Sequence, residues 1–251
     1  MKCTLAGLII LIALFTEAKN RIPASEFISS TPKTLLFEEI TAHRGNRVKL
    51  RENSLSSLLN SMDIGASSVE FDVHLTKDGI PVLYHDYYLN PKDFNFLTTP
   101  VLIKDLTLAE LKQISFSNNL PTISGDTHIP TFEEFLIAIK KRESKNLPTI
   151  PLHLEIKSEK AFISESAPVS ELALRTSEVI SKINIKTPII ARAFNWDVLT
   201  EFQKHKPQIP IILLVDEKEL SRIPVEEVIK KFKPLGISPH HADLLTRPKV
   251  I

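Results

Sequence analysis

The sequence predicts an α/β protein of the (β/α) barrel type, incomplete, with about seven strands. Short aliphatic or β-branched runs alternate with amphipathic segments along most of the chain. Several runs are almost continuously apolar, Ile209-Pro210-Ile211-Ile212-Leu213-Leu214-Val215 above all, as suits a parallel sheet covered on both faces. A doubly wound sheet fits this alternation equally well. Reactive residues cluster at the ends of several different strands, however, and barrel sites are built that way. The length of 251 residues accommodates one such barrel.

Strands are expected at 39–42, 68–73, 82–85, 150–156, 188–191, 209–214 and 236–238. Helices are expected at 54–62, 107–114, 131–142, 169–183, 197–205 and 225–232. Thr107 stands three residues before Glu110, and Thr131 three before Glu134, the spacing of a capping box. Asp78-Gly79 marks a tight turn.

Residues 1–18 read as a signal peptide: Lys2, an apolar run from Leu5 to Phe15, then small residues that allow cleavage after Ala18. The run is too short to span a bilayer, and no later stretch is long and apolar enough to do so. A secreted or periplasmic location is therefore expected. Residues 19–37 form a lead-in containing Pro23 and Pro32, and 38–251 form one domain. Cys3 is the only cysteine, which excludes an intrachain disulfide, a cysteine zinc site and a cysteine nucleophile in the body of the chain. Lys and Arg (31) nearly cancel Asp and Glu (30), so no strong field marks a non-specific nucleic-acid binder. Nothing in the sequence specifies an oligomer.

Four clusters carry the chemistry. His43-Arg44-Gly45 ends the first strand and offers a proton carrier, a phosphate clamp and a sharp turn. Glu52-Asn53-Ser54 follows at a helix start, where Asn53 by itself reads as a cap. In Val69-Glu70-Phe71-Asp72-Val73 the two acids share one face of a strand. Two carboxylates facing together between apolar neighbours require a cation or hydrogen-bond donors, and a hard divalent ion takes oxygen ligands. His85-Asp86 closes another strand, and Asp86 either orients the imidazole or simply ends the element. In Leu152-His153-Leu154-Glu155-Ile156-Lys157 a third carboxylate and a cation share a face.

Taken in order, these strings resemble the glycerophosphodiester phosphodiesterase family. His43-Arg44-Gly45, Glu52-Asn53, Gly65-Ala66, Val69 to Val73, Thr76-Lys77-Asp78-Gly79 and Val82 to Asp86 carry the likeness. Asp105 to Leu111, Ile129 to Leu136, Leu154-Glu155-Ile156-Lys157, Ala193-Phe194-Asn195-Trp196 and Gly236 to Pro239 extend it over roughly residues 38 to 245. The resemblance implies a TIM barrel that hydrolyses glycerophosphodiesters to glycerol 3-phosphate and an alcohol with one divalent cation, Mg²⁺ or Ca²⁺. It implies Glu70, Asp72 and Glu155 as metal ligands, His43 and His85 as the catalytic pair, and Arg44 and Lys157 as phosphate contacts. Glu52 lies near the metal in the family motif and transfers more weakly. Ala193 stands where the family often has Ser, Ser54 where it has Thr, and Arg51 where it has Pro. The family's eighth strand, with its Trp-Thr-x-Asn-like motif, has no counterpart before Ile251, so the domain is expected to be short at its C-terminus. Two alternatives accompany this reading. One is phospholipase D-like action on lysophospholipids, which needs an apolar groove near the site; Phe94, Phe96 and Leu97 are candidates to line it, although loop packing is the preferred reading of all three. The other is an inactive barrel that binds a phosphodiester or a protein.

Overall fold

The computed structural model describes residues 40–117, 126–216 and 222–239. The expected leader, lead-in and start of the first strand lie outside the described residues, as does the end of the chain where an eighth strand would fall.

The main sheet has seven strands. Six are parallel: β1 (Thr41–His43), β2 (Ser68–Leu75), β6 (Leu152–Ile156), β7 (Ile189–Ala193), β8 (Ile211–Val215) and β9 (Gly236–Pro239), adjacent in that order. Every crossover therefore advances the sheet in one direction. A doubly wound sheet reverses its strand order at a switch point, and this one does not. The winding is that of a (β/α) barrel.

One expected strand is built differently. β3 (Pro81–Leu83) pairs antiparallel with β2, Val73 opposite Leu83. It is the return arm of a hairpin, not a barrel stave. Parallel strands need a crossover of a dozen or more residues, and the short Thr76-to-Ile80 link allows only a tight reversal. Gly79 makes that reversal at φ +76°, and the Thr76 hydroxyl donates to Asp78 Oδ1 at 2.6 Å. The sheet then leaves its path for a small lobe. It comprises β4 (Tyr88–Leu89) paired with β5 (Val101–Leu102) and the helix α2 (Leu108–Leu111). The lobe has its own core of Val82, Leu89, Phe94, Ile103, Leu111, Ile114, Phe116 and Ile129. Helix α2 stops short of the expected 114, because Ile114 and Phe116 turn inward to join that core.

The outer layer is helical: α1 (Leu55–Asp63), α3 (Phe132–Ser144), α4 (Val169–Ile183), α5 (Trp196–His205) and α6 (Val225–Phe232). Both expected capping boxes form, Thr107 with Glu110 and Thr131 with Glu134. Strand β2 shows how the two layers divide its side chains. Val69, Phe71, Val73 and Leu75 pack into the core beneath the helices, where Phe71 meets Phe135 edge to face at 5.0 Å. Glu70, Asp72 and His74 alternate to the opposite, inner face and are buried as well. Burying ordinary apolar side chains on one face holds charged ones in place on the other.

Gly45 sits where β1 turns against α1 at φ +83°, and a Cβ there would lie 2.3 Å from Ser57 Oγ and 2.6 Å from Ser57 C. Gly45→Ala is therefore expected to lose more stability in urea unfolding than Thr131→Ala. The cap deletion removes about 1 kcal/mol. The alanine at position 45 incurs about 1–3 kcal/mol of backbone strain before its steric clash is counted. Equal losses would mean that the turn relaxes freely.

Candidate active site

Parallel register lays the inner-face residues in rows. His43 is opposite Glu70, and Glu70 opposite His153. One step along, Asp72 is opposite Glu155, and Glu155 opposite Arg192. Three carboxylates thus converge. Glu70, Asp72 and Glu155 each offer an oxygen within 4.8 Å of the others, and all three are buried. Burial first, and then mutual repulsion, pushes Glu70 well above the usual carboxylate range and raises Asp72 too. Burial also works against ionised Glu155, but Lys157 and Arg192 outweigh it and hold that carboxyl below its ordinary value.

The group fits a hard cation. Glu70 Oε2 accepts from the Arg44 backbone N–H at 3.0 Å, while its buried Oε1 has no hydrogen-bond partner. A buried carboxylate oxygen without a donor is costly, and a divalent ion held by carboxylate oxygens removes that cost. Glu70, Asp72 and Glu155 are the residues that could hold one.

The turn after β1 serves the same cluster. Arg44 adopts a left-handed φ of +58°, which aims its N–H at Glu70. Its guanidinium donates to Glu52 at 3.1 Å and lies 3.5 Å from Asp72. Asn53, at φ +55°, is more than a helix cap, and Ser54 caps α1 instead. The Asn53 amide donates to Asp72 Oδ2 at 2.8 Å and accepts from the Asp72 N–H at 3.1 Å. This two-way bond locks one carboxylate in place. Asn tolerates the left-handed region better than most residues, so the sequence carried a signal for a special position here.

Lys157 is buried and donates to Glu155 at 3.0 Å and Glu159 at 3.1 Å, with Asp72 at 3.8 Å. Burial alone would depress its pKa, but Glu155, Asp72 and Glu159 reverse that effect and hold the ammonium firmly protonated.

The two imidazoles differ in wiring. Arg47 Nη1 lies 3.3 Å from His43 Nδ1. A guanidinium only donates, so Nδ1 accepts and the ring proton of neutral His43 sits on Nε2, 3.7 Å from Glu70. Burial, then Arg44 and Arg47, lowers the His43 pKa to about 3, so the ring is neutral at pH 7. His85 is the opposite case: its Nδ1 lies 2.6 Å from Asp86 Oδ1, and a carboxylate only accepts. Nδ1 therefore carries a proton, and in the neutral ring the lone pair falls on Nε2. Asp86 orients the imidazole, one of the two roles open to it in the sequence. His74 supports the same loop. Burial lowers its pKa to about 3, its Nε2–H donates to the His85 carbonyl at 3.1 Å, and its ring meets Tyr87 edge to face at 5.0 Å.

All seven residues singled out in the sequence come together here, and five of them (His43, Arg44, His85, Glu155 and Lys157) line one cavity of about 540 Å³. Arg192 lines it as well and was missed, because an Arg inside a short apolar strand carries no motif. The apolar wall comes from Tyr87, Tyr88, Phe162, Phe194 and Leu214. Phe94, Phe96 and Leu97 do not line it. Phe94 is stacked on Phe116 at 5.0 Å, Leu97 packs on the lobe's core, and Phe96 points to solvent.

Comparison with known proteins agrees with this geometry. Residues 43–250 match the profile of the glycerophosphoryl diester phosphodiesterase family. A glycerophosphodiester phosphodiesterase of Bacillus altitudinis is 28% identical over 208 residues, covering 80% of this chain and 78% of its own. Mouse glycerophosphocholine phosphodiesterase is 27% identical over 81% of this chain, but the match spans 35% of that longer protein. Among solved structures, an Oleispira antarctica phosphodiesterase in complex with its product sn-glycerol-3-phosphate superposes with a TM-score of 0.67 at 26% identity, covering 84% of this chain and 79% of the other. A glycerophosphodiester phosphodiesterase from Thermotoga maritima gives 0.55 at 26% identity, over 79% and 72% of the two chains. With its barrel winding, its acidic triad and a profile match over most of its length, the chain belongs to the glycerophosphoryl diester phosphodiesterase family.

Proposed function

We propose that the protein hydrolyses glycerophosphodiesters to glycerol 3-phosphate and an alcohol, with one divalent cation, Mg²⁺ or Ca²⁺, held by Glu70, Asp72 and Glu155. The observation that carries this reading is the buried triad, with its donorless Glu70 oxygen, flanked by two differently wired imidazoles in one cavity. A cation so held would act as a Lewis acid on a phosphoryl oxygen.

The residues of the chain supply the rest. Asp86 holds His85 with its Nε2 lone pair free, so His85 takes the proton of the attacking hydroxyl. Arg47 holds neutral His43 with its proton on Nε2, so His43 hydrogen-bonds the leaving oxygen as charge grows on it, and water protonates the released alkoxide. Arg44 and Lys157 add positive charge where negative charge grows in the transition state. Asn53 and the Arg44 N–H keep Asp72 and Glu70 from rotating away. The inactive-barrel reading would require such a network of paired charges to persist without chemistry to perform. The lysophospholipid reading gains no groove from Phe94 and Leu97, which are occupied in the lobe's core. The leader at 1–18 makes export part of the same proposal.

Release of glycerol 3-phosphate from glycerophosphocholine is expected with Mg²⁺ or Ca²⁺, to vanish with excess chelator, and to return when the ion is restored. Full activity in chelator would sink the metal reading. Glu70→Gln and Glu155→Gln keep shape but remove charge, and each is expected to abolish turnover and weaken Mg²⁺ binding measured by calorimetry.

His43→Ala and His85→Ala are each expected to lower kcat about 10²- to 10⁴-fold with an unchanged melting temperature. Asp86→Asn should cost less than His85→Ala, since it misorients the base without deleting it. If Asp86→Asn proves the more damaging, the proton assignment above is wrong.

A further inference from the structure

We propose that Arg192 is the chain's main ligand for the phosphoryl oxygens, rather than the two cations of the sequence motifs; this rests on the phosphodiesterase reading of the site. Three cations line the cavity: Arg44, Lys157 and Arg192. Two of them already have carboxylate partners. Arg44 donates to Glu52 at 3.1 Å and faces Asp72 at 3.5 Å. Lys157 donates to Glu155 at 3.0 Å and to Glu159 at 3.1 Å.

Arg192 is placed differently. It is 4% exposed, and its Nε is buried without a partner. Among the described residues its Nε meets no hydrogen-bond partner, and its charge bears on Glu155 and Glu70 only through space. On the strand to one side its register partner is Glu155, and on the other it is Ile212, which has nothing to offer a cation. A buried guanidinium without hydrogen-bonded partners is costly to keep. Its place in the row Asp72–Glu155–Arg192 sets this cation beside the acidic triad on the cavity wall. An anion lying against that wall meets both. The planar fork of an arginine takes two oxygens of one phosphate, which a single ammonium does not.

The test is binding of glycerol 3-phosphate, followed by titration calorimetry on the whole protein with Mg²⁺ present, beside melting temperatures. Arg192→Met is expected to weaken binding by about tenfold to a hundredfold without lowering the melting temperature, because it removes a buried donor that no side chain satisfies. Arg192→Lys, which keeps the charge but not the fork, should recover part of the affinity. In turnover the loss should appear in KM and kcat/KM together. Affinity within twofold of wild type in Arg192→Met would overturn the proposal. So would a loss that tracks a fallen melting temperature and is not recovered by lysine, since that marks a residue held only for structure. Where Arg192→Met fails to fold, the Arg192→Lys affinity decides: weakening of several-fold supports the fork, and wild-type affinity refutes it. Binding needs no turnover, so a wild-type protein that binds the phosphate without hydrolysing diesters would separate failure of the functional reading from failure of this one.

Discussion

Three carboxylates held within 4.8 Å of one another in the interior of a barrel constitute the most demanding feature of this fold. Like charges at that separation repel strongly where the dielectric is low. Nearly every polar residue around the site can be understood as an answer to that repulsion. Lys157 lies between Glu155 and Asp72, Asn53 clamps Asp72, and the N–H of Arg44 reaches Glu70. The compensation is incomplete at Glu70, whose second oxygen has no donor. Repulsion that persists after this neutralisation is the usual preparation for a bound cation.

The barrel makes this concentration possible. Alternate residues of β2 point in opposite directions, so Val69, Phe71, Val73 and Leu75 can be buried beneath helices while Glu70, Asp72 and His74 face inward. The apolar half secures the strand, and parallel register aligns its polar half with β6 and β7. The turns at the strand ends finish the site. Gly45 permits the close approach of β1 to α1, and that turn places Arg44 over the triad. Second-sphere residues then fix protons: Arg47 and Asp86 hold two chemically identical imidazoles in opposite tautomers.

Much of this was legible in the residues alone. The period-two spacing of Glu70 and Asp72 placed both on one face, and alternation of apolar runs with amphipathic segments predicted every barrel strand and every helix that falls within the described residues. Both capping boxes were visible as Thr-x-x-Glu. Three things were not. The strand at 81–83 looked like a barrel stave, although the five-residue link before it leaves room only for a hairpin. Asn53 looked like a cap, because its partner Asp72 is distant in sequence and reaches it only after folding. Arg192 carried no motif, because the Glu155 that gives it meaning lies on another strand.

The sequence by itself determined what depends on local order: where strands and helices begin, which side chains share a face, and the family to which the motif string belongs. Periodicity and capping act over a few residues, so they can be read along a line. The tertiary structure decided what depends on neighbours remote in sequence. It selected one winding direction from the two that the alternation permits, gave each histidine its tautomer, and set Arg192 beside the acidic triad with no hydrogen-bond partner for its Nε among the described residues. Register between strands is set by packing of whole faces, and Arg192 acquires its meaning only when β7 is laid beside β6.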